Sequence, residues 1–212
     1  MKPPSIHFRH LFFVTLLTGL ITAAQAAPPN DAREVNPIEV GASIPAVSLT
    51  RADGSKVTLH DLTDESPAIL IFYRGGWCPY CNRHLAALRE IESDLRELGY
   101  RIHAISPDRP EAVARTVAKS EGEFNYTLYS DASAAVAKAF GLAFKVDAET
   151  YEKLMGYGID LEAASGQEHH LLPVPAVYIV DTAGRVRFRY FDPNYKERLS
   201  AEALLNAAKA AQ

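Results

Sequence analysis

The hydrophobic pattern of the chain is most regular over residues 68–98. Residues 68–73, Ala-Ile-Leu-Ile-Phe-Tyr, form an unbroken apolar run bounded by turn residues, which indicates a buried strand. Farther along, leucine and isoleucine recur at spacings of three and four residues, the pattern of a helix with one apolar face. The residues at those spacings are Leu85, Leu88, Ile91, Leu95 and Leu98. Gly99 follows in the C′ position at which helices commonly end, so a strand leading into a helix is predicted here.

The rest of the chain alternates between patterns typical of strands and of helices. The Asp53-Gly54 turn lies between two short strand-like runs and predicts an N-terminal β-hairpin, and the turn at 181–184 predicts another late in the chain. Further strand patterns fall at 101–106, 126–129, 177–180 and 186–190. Helical patterns fall at 111–119, 131–140 and 200–211. This alternation predicts an α/β fold in which helices flank a central mixed sheet.

One long segment, residues 145–172, interrupts the alternation before the late strand pair. It is polar, contains three glycines and carries His169 and His170 side by side. Because it is long for a connection, we interpret it as an insertion that serves as a lid, a binding loop or an interface element. Its stretch 151–157 is compatible with either a lid or a homodimer surface.

The N-terminus has the composition of a secretory signal peptide. Lys2 and Arg9 form a positive region, an apolar run follows at 11–24, and the sequence Ala24-Gln25-Ala26 matches an A-x-A cleavage site. The run is shorter than the roughly 20 apolar residues that span a bilayer, so a membrane anchor is the weaker alternative. We therefore expect residues 1–26 to be removed on export, into the periplasm of a bacterium.

The remaining chain is divided into a leader and one domain. Residues 27–38 contain proline, asparagine and aspartate without periodicity, which predicts a flexible leader. Residues 39–212 are long enough for a single domain with a substantial core, and the insertion lies within it. The whole chain has a net charge of −4 and scattered basic residues, which argues against a nucleic-acid-binding role.

Cys78 and Cys81 are the two cysteines of the chain, and both fall where the predicted helix begins. Backbone N–H groups and the helix dipole favour the reactive thiolate at that position. Thiols three residues apart can also close a small disulfide and open it again. In an oxidising compartment the alternative is a structural disulfide, but so short a loop would gain little from chain entropy. The pair is therefore predicted to be a redox-active dithiol.

The strand running into Trp77-Cys-Pro-Tyr-Cys81 at a helix start resembles thioredoxin, in which a C-x-x-C motif accompanies a βαβ pattern. The stretch 175–186, Pro-Ala-Val-Tyr-Ile-Val-Asp-Thr-Ala-Gly-Arg-Val, resembles the proline, strand and hairpin that follow in thioredoxin-like proteins. In that superfamily the proline is cis and packs against the cysteine pair. The resemblance thus implies a thioredoxin-like fold with a cis Val174–Pro175 bond.

A closer resemblance rests on Phe-Tyr-Arg-Gly-Gly-Trp-Cys-Pro-Tyr-Cys, Ala-Ile-Ser-Pro-Asp and Ala-Phe-Gly-Leu-Ala-Phe, with the insertion before Pro-Val-Pro-Ala. Over about residues 39–210 the chain resembles the peroxiredoxin-like redoxins of the alkyl hydroperoxide reductase C / thiol-specific antioxidant group. This resemblance implies a thiol peroxidase that acts on peroxides. It also implies regeneration by a thioredoxin-like reductant and no bound cofactor.

Two departures from the typical peroxiredoxin pattern leave the chemistry open. Typical members carry Pro-x-x-x-Thr-x-x-Cys, whereas this chain has Arg74 for the proline, Cys78 for the threonine and Cys81 at the peroxidatic place. The arginine expected three residues before the late aromatic is Pro175. An exported protein disulfide reductase is therefore the alternative function. In the thioredoxin pattern Cys78, the more exposed cysteine, attacks first and Cys81 resolves; the peroxiredoxin register reverses these roles.

Several neighbours of the dithiol have predicted supporting roles. Arg74 can supply a positive charge near the thiolate, or be a solvated loop residue. We expect Trp77 to shape the rim of the site and Pro79 to tune the redox potential by limiting the loop. Asp108 follows a central strand, and its predicted role is to cap the next helix.

A metal-binding module, such as a copper chaperone of the same fold, is the rival from another class. Thiolates suit Cu(I), and a histidine can complete such a site. Copper chaperones of this fold, however, separate their cysteines by three residues, not two. The pair His169-His170 is more simply explained as exposed loop residues.

Overall fold

A computed structural model describes residues 27–119 and 125–212. The predicted signal peptide, residues 1–26, lies outside the described residues. In the part of the chain that is described, no helix combines the length and the apolar character that crossing a bilayer requires.

The centre of the protein is a seven-stranded mixed sheet. Its strands in chain order are β1 Ser48–Thr50, β2 Lys56–Thr58, β3 Ala68–Phe72, β4 Arg101–Ser106, β5 Thr127–Ser130, β8 Ala176–Val180 and β9 Val186–Phe191. A separate two-stranded sheet consists of β6 Ala143–Lys145 and β7 Leu171–Pro173. The order across the large sheet is β2-β1-β5-β4-β3-β8-β9. Strands β3, β4 and β5 are parallel, while β1–β2, β3–β8 and β8–β9 are antiparallel. The predicted mixed sheet, N-terminal hairpin and late hairpin are confirmed.

Seven helices accompany the sheet in the described residues. They are α1 Pro79–Arg89, α2 Glu92–Glu97, α3 Pro110–Lys119, α4 Ala135–Ala139, α5 Ala148–Gly156, α6 Leu161–Ser165 and α7 Ala201–Ala210. The helix predicted from the leucine spacing is divided into α1 and α2. At the break Ile91 N–H donates to the Leu88 carbonyl oxygen at 3.3 Å, a tighter i to i−3 bond. Leu88 and Leu95 stay buried on both sides of it, so the apolar spacing continues across the break.

Strand β3 divides the core into two layers. All five of its residues are buried, as the unbroken apolar run predicts. Ile69 and Ile71 pack with both cysteines and with apolar residues of α1, α2 and α7. Leu70 and Phe72, which alternate with them, pack against β1, β2 and α4 on the other face. The dithiol therefore belongs to one of the two main layers of the core.

Residues 27–38, the predicted flexible leader, make specific contacts with the rest of the domain, while their flexibility stays a prediction. Lys145 N–H donates to the Pro29 carbonyl oxygen at 2.7 Å, and Ile38 N–H donates to that of Phe140 at 3.0 Å. Arg189 Nη1 donates to the Pro37 carbonyl oxygen at 2.8 Å. Apolar side chains at 32, 35 and 38 pack against the core, so the segment contacts the domain although its sequence has no periodicity.

The insertion contains two helices and a small core of its own. Asp147 and Asp160 accept backbone hydrogen bonds as N-caps of α5 and α6. The apolar cluster beneath these helices consists of Val146, Leu154, Leu161 and Leu172, with Trp77 packed against it. Strand β7 pairs with β6 at its edge. The insertion thus contacts the cysteine loop through Trp77, while a lid or homodimer role for 151–157 stays a prediction.

Candidate active site

The loop between β3 and α1 is built on two glycines that have no room for a side chain. Gly75 has φ of +149°, and a Cβ there would lie 2.3 Å from Trp77 Nε1. A Cβ on Gly76 would lie 2.2 Å from Thr116 Oγ1, on α3. The missing side chains let the loop pass close to Trp77 and α3, which sets where the following cysteines begin the helix.

Asp108 fixes this loop from the end of the neighbouring parallel strand. Its Oδ2 accepts a hydrogen bond from Gly76 N–H at 2.7 Å and one from Ser106 Oγ at 3.2 Å. The predicted helix-cap role is therefore wrong, because the carboxylate turns back to the loop. Burial raises the pKa of Asp108 to about 6, against the opposing effect of these hydrogen bonds.

The two cysteines occupy the first turn of α1. Cys78 is the N-cap residue, Pro79 follows at the first helical position, and Cys81 lies on the same turn. Both side chains are buried, with 2% of Cys78 and 0% of Cys81 exposed, so the expected exposure of Cys78 is nearly absent. The position of Pro79 agrees with its predicted place in the loop, while its effect on the redox potential stays a prediction.

The thiols are unequal because they form a hydrogen-bonded pair. The Cys81 thiol donates to Cys78 Sγ, which lowers the pKa of Cys78 to about 6. The Cys81 backbone N–H and the charges of Arg74 and Arg198 act in the same direction, and burial opposes them. The same hydrogen bond, with burial and the neighbouring thiolate, raises the pKa of Cys81. Of the two thiols, Cys78 is therefore the one that ionises more readily.

Arg74 is not a solvated loop residue; only 7% of it is exposed. Its guanidinium carbon lies 5.2 Å from the ring centre of Trp77 and 4.2 Å from that of Tyr195. Two aromatic rings thus hold the charge beside the cysteine pair by cation–π contacts. Arg74 thus lies beside the cysteine pair, and Trp77 contacts both its guanidinium and the insertion.

Residues 192–199, which connect β9 to α7, complete the site, and sequence reasoning missed them. We call them the 192–199 segment. Arg198 Nη2 donates to Cys81 Sγ at 3.4 Å. Tyr195 contacts Arg74 and also Tyr80, edge to face, with 5.6 Å between the ring centres. The signal in the sequence is weak: an aromatic and a basic residue stand in a polar stretch just before the capped last helix.

The prediction of a cis bond at Val174–Pro175 is wrong. No peptide bond among residues 27–119 and 125–212 is cis. Val174 N–H donates to the Leu142 carbonyl oxygen at 2.9 Å, and the Pro175 carbonyl oxygen accepts from Asp192 N–H at 3.2 Å. These bonds tie residues 174 and 175, between β7 and β8, to the loop that follows α4 and to the start of the 192–199 segment. Pro175 is buried beside the start of the 192–199 segment.

The histidine pair has partners within the insertion and at its edge. His169 Nε2 lies 2.8 Å from the Ala132 carbonyl oxygen, and His170 Nε2 lies 2.6 Å from Glu162 Oε1. His170 also stacks on Tyr151 with 4.0 Å between the ring centres. Within the described part of the chain, no group of three or more histidine, cysteine, aspartate or glutamate side chains could hold a metal ion. The copper-chaperone alternative therefore gains no support from these rings.

The sequence model of the AhpC/TSA family matches residues 40–189. The chain belongs to the AhpC/TSA family. Peroxiredoxin Bcp of Escherichia coli K12 is 32% identical to it over 108 residues, which cover 51% of this chain and 67% of that protein. Membership of this family and similarity to named peroxiredoxins make this AhpC/TSA-family chain an enzyme of the thiol peroxidase class.

Solved structures agree on the fold. Peroxidoxin BcpB from Mycobacterium tuberculosis superposes with a TM-score of 0.62 at 21% identity, covering 82% of this chain and 99% of that one. Reduced Prx3 in complex with hydrogen peroxide from Vibrio vulnificus gives a TM-score of 0.66 at 19% identity, covering 81% and 99%. The predicted thioredoxin-like fold of the AhpC/TSA family is thereby confirmed.

Proposed function

We propose that this AhpC/TSA-family protein reduces peroxides with the Cys78–Cys81 dithiol, and that Cys78 attacks first. The proposal rests on one observation, the place of Cys78 at the N-cap of α1 with Cys81 on the same turn, where the pKa of Cys78 is lowered. This arrangement favours the thiolate on Cys78 and puts the Cys81 thiol beside it as a proton donor. Because the thiolate is the nucleophile, Cys78 attacks the peroxide before Cys81 reacts.

In the first step the Cys78 thiolate attacks one peroxide oxygen. An S–O bond forms, the O–O bond breaks, and the departing oxygen takes the proton that Cys81 holds against Cys78. The products are a sulfenic acid on Cys78, water or an alcohol, and a thiolate on Cys81. Arg74 lies beside the pair and stabilises negative charge while the oxygen departs.

In the second step the Cys81 thiolate attacks the sulfenic sulfur. An S–S bond forms, the S–O bond breaks, and the hydroxide leaves as water with a proton from solvent. Two electrons have passed from the thiols to the peroxide. The chain regains its dithiol by exchange with a dithiol protein, and we propose a thioredoxin-like reductant for this role without a bound cofactor.

We further propose that the protein works after export, in the bacterial periplasm. The support is the signal-like composition of residues 1–26 and their A-x-A site. N-terminal sequencing of protein recovered from the periplasmic fraction is expected to begin at Ala27. Recovery of the intact chain from the cytoplasm would contradict export.

Protein disulfide reduction is the second candidate, favoured by Cys78 at the N-cap of α1, the place of the attacking thiol in the thioredoxin pattern. The two functions differ in the oxidant. Trp77 is the single tryptophan and adjoins Cys78, so its fluorescence follows the oxidation state of the pair. Fast, peroxide-dependent quenching in a stopped-flow instrument supports the peroxidase; slow quenching with rapid insulin reduction supports the reductase.

Substitution of each cysteine tests the assigned roles. Cys78→Ser is expected to abolish peroxide consumption, because the thiolate is lost. Cys81→Ser is expected to form one sulfenic acid, trapped by dimedone and seen by mass spectrometry, without turnover. Sulfenic acid on Cys81 in the Cys78→Ser protein, at the wild-type rate, would instead assign the first attack to Cys81.

A further inference from the structure

The contact between Arg198 and Cys81 links the active site to a distant part of the chain. Arg198 Nη2 donates to Cys81 Sγ at 3.4 Å, across 117 positions in the sequence. The other terminal nitrogen, Nη1, donates to the carbonyl oxygens of Tyr195 and Glu197. The 192–199 segment thus fixes the guanidinium with its own backbone and leaves one nitrogen for the sulfur.

The buried surroundings of Cys81 make a positive partner important whenever its sulfur is negatively charged. The side chain is fully buried, and a thiolate without a positive partner is costly in such a place. The ionisable groups around it are Tyr73 just after β3, Arg74 and Cys78 from the loop, His84 from α1 and Arg198 from the 192–199 segment. Burial and the charge of Arg198 lower the pKa of His84 to about 4, so His84 is neutral at neutral pH. Arg74 and Arg198 are therefore the cations of this group.

The two arginines lie in different places relative to the sulfurs. Arg74 is held between aromatic rings, and none of the hydrogen bonds of its side chain in the described structure reaches Cys81. Arg198 reaches Cys81 directly through an N–H group. A charge-assisted hydrogen bond to sulfur is the stronger stabilisation of a thiolate. Both arginines lower the pKa of Cys78, but Arg198 is the one whose side chain donates a hydrogen bond to Cys81.

We propose that Arg198 is a catalytic residue of the second step, in which it stabilises the Cys81 thiolate that attacks the sulfenic sulfur. This inference rests on the proposed function, because the Cys81 thiolate arises only after Cys78 has reacted. By holding Arg198 at Cys81, the 192–199 segment keeps disulfide formation faster than a second oxidation of Cys78. A sulfenic acid that waits too long is oxidised irreversibly to a sulfinic acid.

The first test does not depend on turnover. In the Cys78→Ser protein, the thiolate absorbance at 240 nm is titrated to give the pKa of Cys81. Adding Arg198→Ala is expected to raise this pKa by at least about one unit, because an opposite charge is removed. Arg198→Lys is expected to give an intermediate value. An identical pKa with and without the Arg198 guanidinium would overturn the proposal.

The second test separates the two steps by stopped-flow fluorescence of Trp77. In the wild-type protein the first phase depends on hydrogen peroxide concentration, and the second, disulfide closure, does not. Arg198→Ala is expected to slow the second phase at least tenfold and to increase sulfinic acid on Cys78 in the mass spectrum. The first phase is expected to stay within threefold. A slowed first phase with an unchanged second would overturn the proposal, as would no change in either.

Arg83→Ala is the matched control. Arg83 stands on the same turn of α1 and its guanidinium carbon lies 4.7 Å from the ring centre of Tyr80, but the described hydrogen bonds of this residue do not include either sulfur. Both phases are expected to be unchanged. If wild-type protein shows no peroxide-dependent phase, the proposed function fails; if both phases occur and Arg198→Ala alters neither, only the role of Arg198 fails.

Discussion

Gly76 shows how closely the cysteine loop packs on its neighbours. A Cβ there would lie 2.2 Å from Thr116 Oγ1, well inside contact distance. We expect Gly76→Ala to lower the free energy of unfolding by about 1–3 kcal/mol, since either the loop or α3 must shift. Urea unfolding at pH 7 measures this loss.

The variant Thr116→Ala provides the control for this prediction. In a Thr116→Ala background the Oγ1 atom is absent, so the added methyl of Gly76→Ala has space. The double variant is then expected to recover most of the loss, giving an interaction energy of about 1 kcal/mol or more. Simple additivity of the two substitutions would contradict the steric explanation.

The pH dependence of the first oxidation follows from Cys78. Its pKa in the folded protein is about 6, below the ordinary value, so the thiolate fraction is nearly complete at pH 7.5. We expect the second-order rate constant with hydrogen peroxide to be level above pH 7 and to fall about tenfold per pH unit below pH 5.5. Stopped-flow measurements from pH 4.5 to 8.5 give the profile, and a midpoint near 8.5 would contradict it.

The shifted pKa values of Cys78 and Asp108 also make the free energy of unfolding depend on pH, in opposite directions. A thiol whose folded-state pKa is lowered contributes stability that is fully present above its unfolded pKa, near 8.5, and is lost as the pH falls through about 6. The carboxyl of Asp108 acts oppositely. Its folded-state pKa is raised to about 6, so its contribution is present below about pH 4 and is lost as the pH rises through 6.

At the residue scale, local sequence identified the cysteines and Arg74 but not their distant partners. Cys78, Cys81 and Arg74 stand within eight residues of one another, so the helix start itself brings them together. Asp108 and Arg198 reach the site only through the order of the strands and the path of the last connection. The spacing of residues in the sequence indicates neither the strand order nor the course of the last connection. Local sequence therefore suggested a helix cap for Asp108, which in the structure binds the cysteine loop instead.

At the element scale, helix α7 anchors the 192–199 segment. Ser200 caps the helix by accepting a hydrogen bond from Ala203 N–H at 3.1 Å, and Leu204 and Ala208 are buried in the layer that contains the cysteines. The end of the segment is thus tied to the core immediately beyond Arg198. Packing of α7 therefore bears on the position of the guanidinium.

Two adjacent leucines of α7 test this anchoring. Leu204 is fully buried, so Leu204→Ala is expected to cost about 2–5 kcal/mol of unfolding free energy. Leu205 is only partly buried, and Leu205→Ala is expected to cost clearly less, about 1 kcal/mol. Guanidinium unfolding of the two variants compares them under the same conditions, and equal losses would contradict the assigned packing of α7.

Elements with long apolar patterns were predictable from the sequence, and irregular ones were not. The buried run of β3 and the leucine spacing of α1 and α2 carry their own periodicity. The break near Ile91 does not interrupt that spacing, so nothing in the pattern indicates it. The hydrogen bonds that join Val174 and Pro175 to Leu142 and Asp192 involve residues far away in the sequence, so the local pattern does not indicate them.

At the scale of the whole molecule, sheet topology gathers the site at one edge. Parallel strands β3 and β4 end side by side, which brings the cysteine loop next to the loop of Asp108. Strand β9 lies beyond β8 at the edge of the same sheet and continues into the 192–199 segment. The fold class was predictable because element order was clear, whereas the path of residues 27–38 depends on contacts to Lys145, Phe140 and Arg189.

Burial of both sulfurs gives the two halves of the catalytic cycle opposite steric requirements. Hydrogen peroxide is close to water in size, whereas a protein reductant must bring its own sulfur to about 2 Å from Cys78 or Cys81. With 2% and 0% of these side chains exposed, another protein gains contact with either sulfur only when the groups that cover them move. Regeneration by a protein therefore requires a larger rearrangement of the site than oxidation by a molecule of the size of water.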